Sequence, residues 1–171
     1  MSLIIAIMKQ TDLNFRPTTL SDVAFVLATE SHKDNNNFVT SQTEEEHRQY
    51  IADPNVFHLI IERVADSAPL GYIILLKQDK VVEFRRIVVA EKGLGIGALA
   101  IRWIKHFAFE ECKAHRLWLD VVVQNERARA LYKSQGFVEE GILRECAETA
   151  SGWNSYLLMS MLEHEYTPST K

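Results

Sequence analysis

At 171 residues, 47% hydrophobic and 25% charged, the chain fits one globular domain, long enough to bury a core without staples. A formal net charge of −4 argues against a general nucleic-acid binder, which needs a basic face. Cys112 and Cys146 are too few for a disulfide framework and read as free thiols in a reducing compartment, with no metal-ligand spacing around them.

The apolar start, Leu3 to Met8, is too short to span a membrane and lacks the basic flank and cleavage site of a signal peptide. A cytoplasmic protein without membrane or nucleic-acid partners is expected, with a native start near Ile4 or Met8 left open. Leu13-Asn14-Phe15-Arg16 alternates and stops at Pro17, a short first strand. Thr19 or Ser21 can cap a helix through Val23 and Ala28. The polar stretch Ser31 to Asn37 reads as a loop, and Thr43-x-x-Glu46 is a capping box whose helix ends near Asp53-Pro54.

Phe57–Val64 and Leu70–Leu76 are strand-like runs joined by a hairpin, and Gln78-Asp79-Lys80 turns into a third strand, Val81–Val89. From Ile96 the apolar period becomes helical through Trp103 and Phe107. A strand over Leu117–Val123, a helix from Glu126 to about Ser134, and strands near Phe137–Leu143 and Tyr156–Leu162 complete the chain. Short turns make the three successive strands antiparallel neighbours, and the strand-helix-strand unit around Gly95 is a parallel crossover. The predicted fold is α+β, a three-layer arrangement with a mixed, mostly antiparallel sheet of six to seven strands flanked by helices. One domain is expected over 1–171, with its core at about 13–163 and tails at 1–8 and 167–171.

Chemistry concentrates in two stretches. Glu91-Lys92-Gly93-Leu94-Gly95-Ile96-Gly97-Ala98 joins a strand to a helix. Glycine lets backbone approach a ligand closely, and the first helical amides lack partners at the positive end of the macrodipole, so an anion satisfies them. A rival reading takes Gly93-x-Gly95-x-x-Ala98 as a dinucleotide fingerprint with Asp120 as ribose ligand. The charged Glu83-Phe84-Arg85-Arg86 in the preceding strand counts against it. The absence of Gly-Lys-Ser/Thr excludes a P-loop.

The second stretch is Asn125-x-x-Ala128-x-x-Leu131-Tyr132-x-x-x-Gly136-Phe137. It resembles the second signature of the GCN5-related N-acetyltransferases (GNAT) at every position. Lys92-Gly93-Leu94-Gly95-Ile96-Gly97 resembles the first signature except that lysine replaces Gln/Arg. Glu140-Gly141-x-x-Arg144 and Met159 resemble the ribosomal-protein and polyamine acetyltransferase branches. The acidic residue those branches often carry before the last strand is absent, with Ser155 near its place.

The resemblance implies transfer of acetyl from acetyl-CoA to a primary amine of a small molecule, a polyamine or a protein N-terminus, without metal. Val88, Val89, Lys92, Gly93, Leu94, Gly95, Ile96, Gly97, Ala98, Asn125 and Arg129 are the implied cofactor contacts. An alkylammonium, pKa about 10.4, must lose a proton before attack. Glu83 is the implied base, with Glu62 and His58 in reserve. Tyr132, a phenol of pKa about 10, is the implied donor to the departing thiolate. A non-catalytic acyl-CoA-binding module on the same fold is the alternative, and a homodimer is left open. The Asn35-Asn36-Asn37 loop lies where the family builds its acceptor pocket.

Overall fold

Among the described residues, eleven α-helices and β-strands follow one another in the order the sequence predicts. The computed structural model describes residues 8–32, 41–149 and 152–168. The apolar start up to Ile7, the Asn35–Asn37 loop and the last three residues of the polar tail lie outside them.

The elements are β1 (Leu13–Pro17), α1 (Val23–Ser31), α2 (Glu44–Ala52), β2 (Val56–Arg63), β3 (Pro69–Gln78), β4 (Val81–Val89), α3 (Ile96–His106), β5 (Arg116–Val122), α4 (Glu126–Ser134), β6 (Val138–Thr149) and β7 (Gly152–Leu162). The strands form one seven-stranded mixed sheet in the order β1-β2-β3-β4-β5-β7-β6. β1 and β2, β5 and β7, and β6 and β7 pair antiparallel, while β4 and β5 pair parallel.

The chain divides into two compact units, residues 1–75 with 86–100 and residues 76–85 with 101–171. In the first, Val26, Ile60, Ile61, Ile73, Ile74 and Leu75 are fully buried. β3 is buried along six successive residues, Leu70 to Leu75, as a strand covered on both faces requires. Gly71 marks a close backbone approach: a Cβ there would stand 2.3 Å from the Val88 carbonyl oxygen. α2 begins as its capping box dictates. The Thr43 hydroxyl accepts from the Glu46 amide at 3.2 Å, and the Glu46 carboxylate accepts from the Thr43 amide at 2.6 Å.

In the second unit Val82, Ile101, Ile104, Leu117, Leu119 and Met159 are sealed from solvent. Each such side chain contributes about 1.5–3 kcal/mol by leaving water. α3 is continued by a π-helical turn, Phe107–Glu111. β6 corrects one expectation. It runs to Thr149, not Leu143, and so takes in Cys146. Both cysteines are free, Cys112 buried and Cys146 exposed.

Candidate active site

The glycine loop belongs to the first unit. β4 ends at Val89, and the Ala90 amide donates to the Leu70 carbonyl at 2.8 Å, which fixes the chain where the loop departs. Residues 90–95 bend without regular structure, and α3 starts at Ile96. Gly93 and Gly95 have φ of +89° and +78°, the left-handed region that costs L-residues most. A Cβ on Gly93 would meet open space, so its dihedral, not crowding, calls for glycine there. The Leu99 amide donates to the Gly95 carbonyl at 3.1 Å as the helical ladder begins. The amides of Ile96, Gly97 and Ala98 therefore have no intrahelical acceptor and lie at the positive end of the helix.

Val88 is buried and Val89 half-buried; Lys92, Gly93 and Gly95 are exposed, and Leu94, Gly97 and Ala98 half-buried. Ile96 is buried and anchors the helix start. These donors and their dipole suit the pyrophosphate of a CoA thioester. The dinucleotide alternative fails on topology: β1 with β2, β5 with β7 and β6 with β7 all pair antiparallel, where that fold is built on a mostly parallel sheet.

Tyr132 belongs to the second unit. The Asn125 side chain caps α4 by accepting from the Ala128 amide at 3.2 Å. Seven residues on, Tyr132 is buried with its ring edge-on to Phe84 (5.8 Å) and Phe137 (6.0 Å). Gly136, at φ +92°, ends the helix, and the Phe137 amide donates back to the Tyr132 carbonyl at 3.1 Å. The Lys105 ammonium donates to the Gln135 carbonyl at 2.8 Å, securing that end. Burial first, and then the charge of Asp120, push the Tyr132 phenol up, so it holds its proton throughout the neutral range. Arg129, an implied cofactor contact, spends its guanidinium on the Val123 carbonyl (3.0 Å) and Glu139 (3.4 Å).

Each implied base has a partner. Arg85 grips Glu83 with two bonds, at 3.0 and 2.8 Å, within the second unit. In the first, Glu62 accepts from Arg16 at 2.6 Å, and Arg16 also forks onto Asp22 at 2.8 and 2.9 Å. His58 is 4% exposed and sits in a network that sequence reasoning missed. Its Nδ1 lies 2.8 Å from the Thr18 hydroxyl and its Nε2 lies 3.1 Å from His47 Nδ1. His47 Nε2 faces the Glu30 carboxylate at 3.4 Å, and Tyr72 and Arg86 donate to the same carboxylate.

A bare nitrogen facing a carboxylate would be repelled, so His47 carries its proton on Nε2. His58 then donates from Nε2 and accepts the Thr18 hydroxyl proton. Burial, reinforced by His47, lowers the His58 pKa to about 4. Desolvation opposes the Glu30 charge, but the approach of His47, hydrogen bonds from Tyr72 and the Gln42 amide, and the Arg86 charge bring its pKa down to about 2. The network is buried architecture. No local pattern connects residues 18, 30, 47, 58, 72 and 86.

Residues 25–137 match the model of the Acetyltransferase (GNAT) family. The probable N-acetyltransferase YjcK of Bacillus subtilis (strain 168) is 30% identical over 103 residues, 60% of this chain and 50% of that protein. The spermidine N(1)-acetyltransferase of Vibrio cholerae serotype O1 is 30% identical over 108 residues, 61% of this chain and 62% of that one. The match thus spans half to less than two thirds of these relatives. The structure of spermidine N-acetyltransferase from Vibrio cholerae in complex with CoA and spermine superposes with TM-score 0.80. It is 22% identical, over 91% of this chain and 98% of that one. A dodecameric structure of spermidine N-acetyltransferase from Vibrio cholerae gives 0.76 at 24% identity, over 91% and 96%. At these identities the likeness is one of fold.

Proposed function

Because the chain belongs to the acetyltransferase (GNAT) family, we propose that it is an N-acetyltransferase that moves acetyl from acetyl-CoA to a primary amine. The observation that carries the reading is the loop: two glycines with positive φ deliver unpartnered amides at the start of α3, directly after β4. Acetyl-CoA supplies a thioester that an unprotonated amine can attack. The amides of Ile96, Gly97 and Ala98 hold its pyrophosphate, with Lys92, Gly93, Leu94 and Gly95 around them, and the backbone amides at the end of the Val88–Val89 strand stabilise the oxyanion formed on attack. Asn125 and Arg129 complete the proposed cofactor set.

Tyr132, kept protonated by burial, donates to the departing sulfur. Glu83 is the carboxylate on which deprotonation of the amine depends. For the acceptor class, the curated relative named for spermidine supports a polyamine or other small amine, and a peptide N-terminus is the broader option.

The reading includes a single catalytic domain over about 13–163 and a cytoplasmic location, supported by two free cysteines. No described helix is long and apolar enough to cross a membrane. It also includes a homodimer, supported by exposed Val138, Ile142 and Leu143 on β6, the end strand of the sheet.

The test has two arms. Acetyl-CoA and CoA raise the melting temperature while NAD and NADP do not, since a ligand that binds only the folded chain stabilises it. Thiol release from acetyl-CoA is then followed against spermidine, spermine, short diamines and an alanine-initiated peptide. A shift with NAD alone overturns the reading, and CoA binding without thiol release reduces the chain to a binding module.

A further inference from the structure

Among the carboxylates on the described strands, Asp120 differs in what surrounds it. The parallel ladder joins Val81, Val82 and Glu83 to Arg116, Leu117 and Trp118, and then stops. Within the same unit β4 continues to Arg85 and β5 to Val122. Asp120 lies two residues past the last pair. Strand alternation puts it on the face of Trp118, and the register puts Trp118 beside Glu83, so Glu83, Arg85 and Asp120 share one face.

Glu83 gives both oxygens to Arg85, whereas Asp120 makes no hydrogen bond or ion pair with another described side chain, and it is exposed. From the other side β7 offers Leu158 opposite it, with Tyr156 and Ser160 as diagonal neighbours and no charge. A proton acceptor needs open lone pairs and access to its substrate. Asp120 has both.

We propose, on the acetyl-transfer reading, that Asp120 is the catalytic residue that takes the proton from the acceptor amine, and that Glu83 and Arg85 are positioning residues beside it. Asp120 takes one proton from the ammonium and releases it to solvent. As the nitrogen–carbon bond forms and the carbon–sulfur bond breaks, Tyr132 passes the nitrogen's second proton to the departing sulfur. Amide, thiol and one released proton balance the reaction.

The electrostatics agree. Partial burial and the Glu83 charge raise the Asp120 carboxyl above its ordinary value, with Arg85 opposing them. A base so shifted is better matched to neutral pH than an ordinary aspartate of pKa about 3.9. The Asp120 charge in turn reaches Tyr132.

The test uses the full chain with 13C-labelled aspartate carboxyls, the Asp120 signal being assigned by its loss in Asp120→Asn. Its titration midpoint should lie above about 3.9 and fall in Glu83→Gln. In the thiol-release assay with spermidine, spermine, diamines and the peptide, Asp120→Asn should lose about 10²–10⁴ in turnover with unchanged acetyl-CoA affinity. That deficit should shrink as pH approaches about 10.4, where the amine sheds its own proton. Asp120→Glu, which keeps the charge and displaces the carboxylate, covers an asparagine variant that fails to fold and should lose turnover in part. An ordinary midpoint, full turnover in the variants, or an equal deficit at every pH overturns Asp120 as the base. Failure of every acceptor to release thiol overturns the acetyl-transfer reading itself, and Asp120's role with it.

Discussion

Acid should loosen this protein through His58 before it reaches any carboxylate. His58 is 4% exposed and its pKa falls from 6.5 to about 4 on folding, because burial and the neighbouring His47 disfavour the imidazolium. A histidine with a depressed folded pKa binds fewer protons folded than unfolded, so stability rises with pH between those values and is lost as pH falls from 6.5 towards 4. At 1.36 kcal/mol per unit the whole window amounts to about 3 kcal/mol. About 2 kcal/mol of it should go between roughly pH 7 and 5.

Glu30 acts later. Its pKa is lowered from 4.5 to about 2, so its contribution is present above the first value and lost on the way to the second. Urea unfolding at several pH values separates the two windows. His58→Gln, which is destabilised overall, should lose about 2 kcal/mol less than the parent between about pH 7 and 5. Equal pH slopes in parent and variant would refute the argument and leave another group as the acid sensor.

Gly71→Ala forces a Cβ to 2.3 Å from the Val88 carbonyl oxygen, and should cost about 3 kcal/mol or more in urea unfolding, at or beyond the usual upper end for overpacking. Gly95→Asp sets a carboxylate at the start of α3, and calorimetry should show CoA binding weakened about tenfold or more, about 1.4 kcal/mol; an unchanged affinity in a folded variant would place the pyrophosphate elsewhere. Tyr132→Phe should bind acetyl-CoA nearly normally and lose about 10²–10⁴ in turnover, and a fully active variant would reduce the residue to packing.

The order of elements was legible because each keeps its own period and carries its own punctuation. Thr43 and Glu46 announce α2, and Asn125 announces α4, through backbone bonds made within three residues. The far half of β6 is hidden from the sequence because Arg144-Glu145-Cys146 does not alternate. Its pairing with β7 shifts register between Leu143 and Ala147, and Glu145 takes φ +46°. The strand is maintained by its partner, and its own residues are largely exposed. Site residue types were legible and their availability was not. The Glu83–Arg85 pair lay within reach of strand periodicity, since residues two apart share a face. The engagement of His58 with Thr18 and His47 depends on contacts 40 and 11 residues away.

Partners, more than residue type, decide which strand carboxylate can handle a proton. Glu62 is committed to Arg16, and a proton on Glu83 would remove the charge and block one of the two oxygens that hold the Arg85 fork. That fork keeps a negative charge on the face where Asp120 lies, and the charge raises Asp120. Glu83→Gln therefore distinguishes two mechanisms that a loss of turnover alone would not. If Glu83 takes the proton itself, the acidic limb of the kcat/KM profile disappears. If Asp120 takes it, removing the Glu83 charge lowers the Asp120 pKa, so the limb survives and moves to lower pH, while turnover near neutrality falls because the base is weaker. Loss of the limb would return the role to Glu83, and an unmoved limb would show that neither carboxylate controls it.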